Sequence, residues 1–434
     1  MITIKNLCFA SVLCLILFIC SGAALADSIT INEDETHSTK RGGALPYMFT
    51  TETLGTGLGI GGIISGIYEP QSSLMATVFV TDNDSWLIAG GLNNLRFDSL
   101  DRWFFDIYVQ DSHYTDQRFY DSAHRSTTDS AGFNDSSEDD YVFGISDDIH
   151  LELTARYPLP IGVAKNEPLT TYKTRDGLLV SEPQGGGEWN PLTSGKTTLR
   201  FRYFYRYRNL QQIEQEDLLS SSTNGMEVRL DYDNTDFLPN PSRGSRQKII
   251  ITRDFGWFNS SASWTNIELD ASKYFDLGTS HWFRHQVLAM NFWTSYTPSW
   301  DLDQDTGRIN HRPPPGYGAF LGGFDRLRAF PTSRFQDKSA VYYGMELRLI
   351  PKINALNTWP LLKHFEIDWW QLATFVEAGR VGPDYDADLF TKDLKWNLGL
   401  SFRVMAFQQP LRLDWAVSEE DYAIWAMYSQ PFSR

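Results

Sequence analysis

The sequence predicts an all-β chain, a sixteen-stranded antiparallel transmembrane β-barrel, and three observations predict it. The first is a leader. Lys5 supplies a positive end, Leu7 to Cys20 an apolar core and Ala24-Leu25-Ala26 a small-residue cleavage site, so residues 1–26 read as a secretory signal peptide. The second is that no uninterrupted apolar run of about eighteen residues follows, which leaves no helical membrane span. The third is period-2 alternation in segment after segment, in a chain whose mean hydropathy is negative although 14% of its residues are aromatic. Strands with one lipid-facing and one water-facing side give that combination. A closed barrel satisfies every backbone group within lipid and leaves no sheet edge. Export joined to such a barrel implies a bacterial-type outer membrane, with its lipid as a partner.

Composition narrows the rest. The 54 acidic residues exceed the 38 basic ones, for a formal net charge of −16, which argues against nucleic acid as a partner. Cys8, Cys14 and Cys20 all fall in the leader, so the exported chain forms no disulfide. Ile19 stands where a lipoprotein signal at Cys20 needs a small residue. No metal or other cofactor is expected, and the barrel is expected to be a monomer.

In chain order, the segment 27–43 is a short periplasmic lead-in, too short for a folded domain, and the barrel covers 44–432. Strands are expected at 44–53, 57–68, 74–81, 85–97 and 102–111. Gly55, Gly57, Gly59 and Gly61 share one face of the second hairpin and leave a side-chain-free patch of inner wall with room for something inside. Residues 112–138 are polar and acidic, and the run continues through Asp139, Asp140, Asp147 and Asp148. It reads as a solvated loop, because its spacing matches no calcium loop. A sixth strand lies within 139–156, before a long loop from Tyr157 to Lys196. Ser194-Gly195-Lys196-Thr197 is no phosphate loop, since Asn190 holds the first glycine position and a strand follows.

The seventh strand sets Leu199, Phe201, Tyr203, Tyr205 and Tyr207 on one face and Arg200, Arg202, Arg206 and Arg208 on the other. Four arginines suit the wet inner wall of a large barrel, balanced by acidic neighbours such as Glu227 and Asp231 of strand eight. Further strands are expected at 246–255, 263–276 and 281–295, and then at 339–351, where Glu346 and Arg348 face inward. Strand thirteen contains Phe375, Glu377 and Gly379, and strands fourteen to sixteen lie at 393–406, 410–418 and 422–432. In the last, Tyr422, Ile424, Ala426, Tyr428 and Phe432 share the parity of a terminal sorting strand. With extracellular loops after odd strands, the loop 157–196 falls on the periplasmic side, where turns are short. Either it is a flap or a strand pair near 139–156 is miscounted.

The segment between strands eleven and twelve starts near Thr297, carries Pro313, Pro314 and Pro315, and ends in Leu321-Gly322-Gly323-Phe324-Asp325-Arg326-Leu327-Arg328-Ala329-Phe330. Arginines interleaved with apolar residues suggest a loop packed back into the protein. It resembles the inward-folded sixth extracellular loop of the BamA/TamA-type outer-membrane barrels, the bacterial surface antigen family. There an Arg-Gly-aromatic signature follows a Gly-Gly pair; here Arg328, Ala329 and Phe330 occupy it, with alanine for glycine. Two further pieces arrive in the family's order. Asp233, Asn234, Pro239 and Gly244 resemble its periplasmic hairpin, although a plain Pro-Gly turn fits as well. Phe375-x-Glu377-x-Gly379 resembles a strand motif whose carboxylate, here glutamate, holds the loop arginine.

The resemblance implies a loop locked by Arg328 and Glu377, and a role in assembling or translocating outer-membrane proteins, with unfolded client chains as partners. A passive or gated pore and a structural barrel that orders lipid are the alternatives. Enzymatic readings fare worse: there is no Gly-x-Ser-x-Gly elbow, no His-Glu-x-x-His and no cysteine after the leader.

Overall fold

Consecutive alternating segments joined mostly by short turns satisfy their backbones by pairing with the next segment along the chain. The computed structural model describes residues 30–32, 41–51, 54–120, 131–212, 218–303, 305, 309–356, 359, 367–406, 409–428 and 430–432. Its main sheet has sixteen strands. They are β1 (Arg41–Thr51), β2 (Gly55–Ser65), β3 (Ser73–Thr81), β4 (Trp86–Leu95), β5 (Phe104–Phe119), β6 (Val142–Pro158), β7 (Lys196–Gln212) and β8 (Leu218–Asp233). β9 (Gly244–Asp254), β10 (Trp264–Gly278), β11 (Phe283–Tyr296), β12 (Ser339–Pro351), β13 (Ile367–Gly382), β14 (Lys395–Ala406), β15 (Gln409–Val417) and β16 (Tyr422–Tyr428) complete it. Each strand pairs antiparallel with the next. Among the described residues no ladder joins β16 to β1. One apolar cluster nevertheless contains Tyr47 of β1 and Ala426 of β16, together with Phe79, Leu87, Ala89 and Tyr108.

The sheet is inside out compared with a water-soluble protein. Its exposed face is apolar, with Leu58, Val78, Ile88, Val228, Ile251, Leu398 and Leu400 among its members, while Asp148, Arg200, Glu227, Glu346, Arg403 and Asp414 are buried on the other. Apolar side chains gain nothing from facing water, so the exposed face is built for lipid, and the charges pair with one another on the buried side.

Strand limits depart from expectation where the pattern turns polar. β5 runs on to Phe119, because Ser112 to Phe119 pair with Asp148 to Val142 of β6 across an irregularity at Tyr114. Asp148 is therefore a buried strand residue and no part of a solvated acidic loop. β16 stops at Tyr428, and Ala426 is buried. Phe432 leaves the strand with a φ of 67°. Its carbonyl accepts hydrogen bonds from the hydroxyls of Ser272 and Tyr274, both at 3.2 Å. The leader and its cysteines lie outside the described residues. From the segment 27–43, Thr30–Asn32 pairs parallel with Thr170–Tyr172 of the long loop between β6 and β7.

That loop crosses one end of the sheet. A small hairpin within it pairs Leu178 and Leu179 with Arg175 and Thr174. Its tip reaches β11 and β13, where Arg284 Nη2 donates to the Asp176 carbonyl at 3.3 Å and Trp369 Nε1 to the Gly177 carbonyl at 2.9 Å. Leu178 packs on Ile350, Trp369 and Met405 of the buried face. Gly177 has a φ of 66°, and a Cβ there would lie 2.7 Å from that of Asp368, so only glycine fits the tip. At the opposite end the loops around 131–141, 297–338 and 383–394 interlock. Asn134 Nδ2 donates to the Asp393 carbonyl at 3.0 Å, Arg334 Nη1 to Ser136 Oγ at 2.8 Å and the Gln336 amide to the Gly132 carbonyl at 2.7 Å.

Candidate functional site

The site is built from a turn, a hollow and a cluster of charges. Gly322 and Gly323 adopt φ values of 103° and 106°, a region open to glycine and closed to side chains. A Cβ on Gly322 would meet the Pro331 carbonyl oxygen at 2.2 Å. The Gly322 amide donates to the Arg326 carbonyl at 3.1 Å and that of Gly323 to Phe330 at 2.9 Å, closing the loop on itself. Within Arg328-Ala329-Phe330 the middle residue needs no left-handed backbone: Leu327 takes the positive φ, 53°. Alanine therefore serves where the resembled motif has glycine. Phe330 is fully buried, edge-on to Phe335 at 5.2 Å.

The hollow is cut into β12–β14 by glycines. A Cβ at Gly399 would strike the Phe375 ring and the Trp415 carbonyl oxygen, each at 2.3 Å. Without it, the Phe375 ring lies against the sheet and presents its face to the Arg328 guanidinium 3.5 Å from the ring centre. A Cβ at Gly379 would press on the Val341 carbonyl oxygen at 2.7 Å and on Leu321 Cδ1 at 3.0 Å. The Phe-x-Glu-x-Gly pattern is thus one mould: ring beneath the arginine, carboxylate beside it, glycine leaving room for the loop's leucines.

Arg328, with no exposed surface, donates from each of its four nitrogens in the mould. Its amide donates to Glu377 Oε2 at 2.7 Å and its Nε to Glu377 Oε1 at 2.9 Å. Nη1 reaches Asp414 at 2.8 Å and Nη2 reaches Glu346 at 2.8 Å. Its carbonyl accepts from Trp425 Nε1 at 2.6 Å. Burial opposes the charge, yet Glu377, Asp414 and Glu346 together hold the guanidinium well above its ordinary pKa, so it stays ionised. The carboxylates are shared in turn. Glu377 accepts from the Tyr342 hydroxyl at 2.6 Å and Asn397 Nδ2 at 2.9 Å. Glu346 accepts from Arg348 and Arg403, both at 2.9 Å, and Asp414 from Arg412 and Ser401, both at 2.5 Å.

The expected partners Arg328 and Glu377 therefore meet, within a wider network than a pair. Asp414, Arg403, Arg412 and Asn397 belong to it and were not singled out from the sequence, although their inward parity on β14 and β15 was available. Charge-assisted contacts of this kind are worth roughly 1.5–3 kcal/mol each. Desolvation offsets much of that gain, so the network fixes one loop position more than it adds stability.

The other sequence-singled residues lie apart from this centre. Arg202 pairs with Glu152 at 2.7 Å and with Glu227, while Arg206 and Arg208 share Asp148, each with a bond at 2.9 Å. The arginine ladder is balanced by the acids of β6 and β8. Gly59 makes room for the ring of Tyr47, whose hydroxyl meets Thr77 Oγ1 at 2.7 Å. At Gly59 the space is thus taken by the ring of a residue on its own neighbouring strand. At the β8–β9 turn Asp233 accepts from the Thr235 amide at 2.9 Å. Gly244, at a φ of 98°, passes so close to the Asn234 carbonyl oxygen that a Cβ would stand 1.9 Å from it. Pro239 lies between this turn and a small cavity, and Asn240 Oδ1 accepts from Gln430 at 3.2 Å across the buried face.

Comparisons with known proteins agree with this architecture. BamA from Haemophilus ducreyi lacking POTRA domains 1–3 is similar at 13% identity and a TM-score of 0.52, over 90% of this chain and 70% of that one. CdiB from Escherichia coli is similar at 11% identity and a TM-score of 0.54 over 89% of this chain, which spans 60% of that protein's length. At such identities the likeness is one of fold. Comparison with curated proteins finds no match. A family model, the Omp85 superfamily domain, matches residues 72–424, and the chain therefore belongs to the Omp85 superfamily.

Proposed function

We propose that the sixteen strands close into an outer-membrane barrel, with the loop 297–338 folded into its lumen and locked by Arg328, and that this barrel inserts or translocates client proteins. The observation that carries the reading is the fit of Arg328, donor by donor, to Glu377, Glu346 and Asp414 on the buried face. A loop held only by solvated charges would contribute little; this one is keyed to a single seat, as expected where a loop must stay in place while the wall beside it works. The outer membrane follows from the family, whose barrels insert or transport client proteins there. The Arg328 network positions a loop and catalyses nothing, since every carboxylate in it is engaged by arginine. Outer-membrane lipid is the solvent of the apolar face, and one chain suffices as the working unit.

An open pore is the weaker reading, because the long floor loop between β6 and β7 and the interlocked loops opposite cover both ends. Depletion followed by an outer-membrane proteome tests the proposal. Loss of other outer-membrane proteins is expected; an unchanged proteome with raised solute permeability would overturn it in favour of a pore.

A further inference from the structure

The registers of β6, β7 and β8 set Arg156 opposite Arg200 and Arg200 opposite Arg229. Residues directly opposite one another in antiparallel strands share a face, and like charges so placed repel. All three are buried. Lys196 and Arg246 join them around one cavity of about 50 Å³, with Asp231, Asp233 and Asp236 as the acids on its lining. Asp231 is engaged by Arg246 and Arg229, each with a bond at 2.9 Å. Asp236 caps the turn by accepting from the amides of Phe237 and Ser242. Arg156 gives only Nη2, to Asn94 and Asp106, both at 2.7 Å. Its Nε and Nη1 are buried without a hydrogen-bond partner among the described residues, at a residue 2% exposed. Donors in that condition cost free energy unless something accepts from them.

We propose that this cavity binds a small oxyanion of the phosphate class, held by Arg156, Arg200 and Arg229 with Lys196. An oxyanion relieves the repulsion along the row and accepts from the idle donors of Arg156, which is the chemistry guanidinium groups serve best. The volume is several times the roughly 10–15 Å³ that one water requires, which leaves room for a small anionic head. Its position adds a consequence. Tyr172 and Gln184 of the floor loop line the same cavity, and Lys196 Nζ donates to Thr170 Oγ1 at 2.8 Å, so the bound anion pins the floor loop to the wall. The head is either a free ion or the phosphate of a lipid headgroup.

Equilibrium dialysis of the purified barrel in detergent with labelled inorganic phosphate, at ionic strength fixed with sodium chloride, tests this. One saturable site is expected, displaced by sulfate. It should weaken about ten-fold or more in Arg156→Gln, the loss of one charge-assisted contact, and stay unchanged in Lys273→Gln on the exposed face. Arg200→Gln provides the same comparison should Arg156→Gln fail to fold, folding being judged by heat-modifiable mobility. Displacement by glycerol phosphate marks a lipid headgroup as the source, and its failure to compete marks a free ion. No saturable site in the wild type, or wild-type affinity in either folded arginine variant, would overturn the proposal.

Discussion

Arg328 is the residue on which the site turns, and its geometry sets what substitution does. Removing it leaves Glu377, Glu346 and Asp414 short of one counter-charge, and breaking a buried ion pair costs about 3–5 kcal/mol. Arg328→Ala and Glu377→Ala should each free the loop by that order, read as new protease cleavage beside Arg326, while the double variant costs clearly less than the two together. Fully additive losses would show that the two act separately. Arg328→Lys should rescue little, because one ammonium cannot span three carboxylates as the planar fork does. The sequence disclosed Arg328 and Glu377 through a motif and hid Asp414 and Arg403. Their inward parity was plain, but nothing in one sequence says which of many inward charges converge on one point. Ala329 was legible as a departure and not as a harmless one, since the positive φ proved to be at Leu327.

At the scale of elements, strand positions were legible wherever one face meets lipid, for there the apolar residue recurs at every second position. The limits failed where both faces meet polar surroundings: the end of β5, from Ser112 to Phe119, has no apolar alternation and is held by its ladder to β6. The end of β16 failed for the opposite reason, as Phe432 keeps the outward parity yet turns inward. Gly399 shows how an element is shaped by what it lacks. Gly399→Ala should overpack the Phe375 ring against Trp415, at a cost of about 1–3 kcal/mol, seen as a lower unfolding temperature in detergent. An unchanged midpoint would mean the ring has room to spare. The long loop between β6 and β7 is no miscounted strand pair, for the strands on either side pair along their length. Thr171 is exposed on it, and the only cysteines in the sequence are in the leader. Thr171→Cys should therefore escape an impermeant thiol reagent in intact cells and react once the outer membrane is opened. Labelling in intact cells would reverse the orientation of the whole sheet.

For the whole molecule, the proposed barrel has different parts of the chain at its two ends. Loops around 131–141, 297–338 and 383–394 interlock at one, and the loop between β6 and β7 is anchored by Trp369 and Arg284 at the other, so on this reading each end is covered. Closures at opposite ends of one channel act in series, so current flows only when both are open. Unseating the inner loop with Arg328→Ala leaves the floor in place, and deleting residues 174–180, the tip that bonds Trp369, leaves the opposite end covered. Each change alone should raise conductance in planar bilayers only slightly. Combined, they should open a channel far larger than the two increments added, in a protein whose heat-modifiable mobility still reports a closed hydrogen-bonded barrel. Full conductance from Arg328→Ala alone would show that the floor loop does not seal. A combined variant that stays closed while folded would show that neither element is the barrier, and that the lumen is filled along its length by the charges of its own wall.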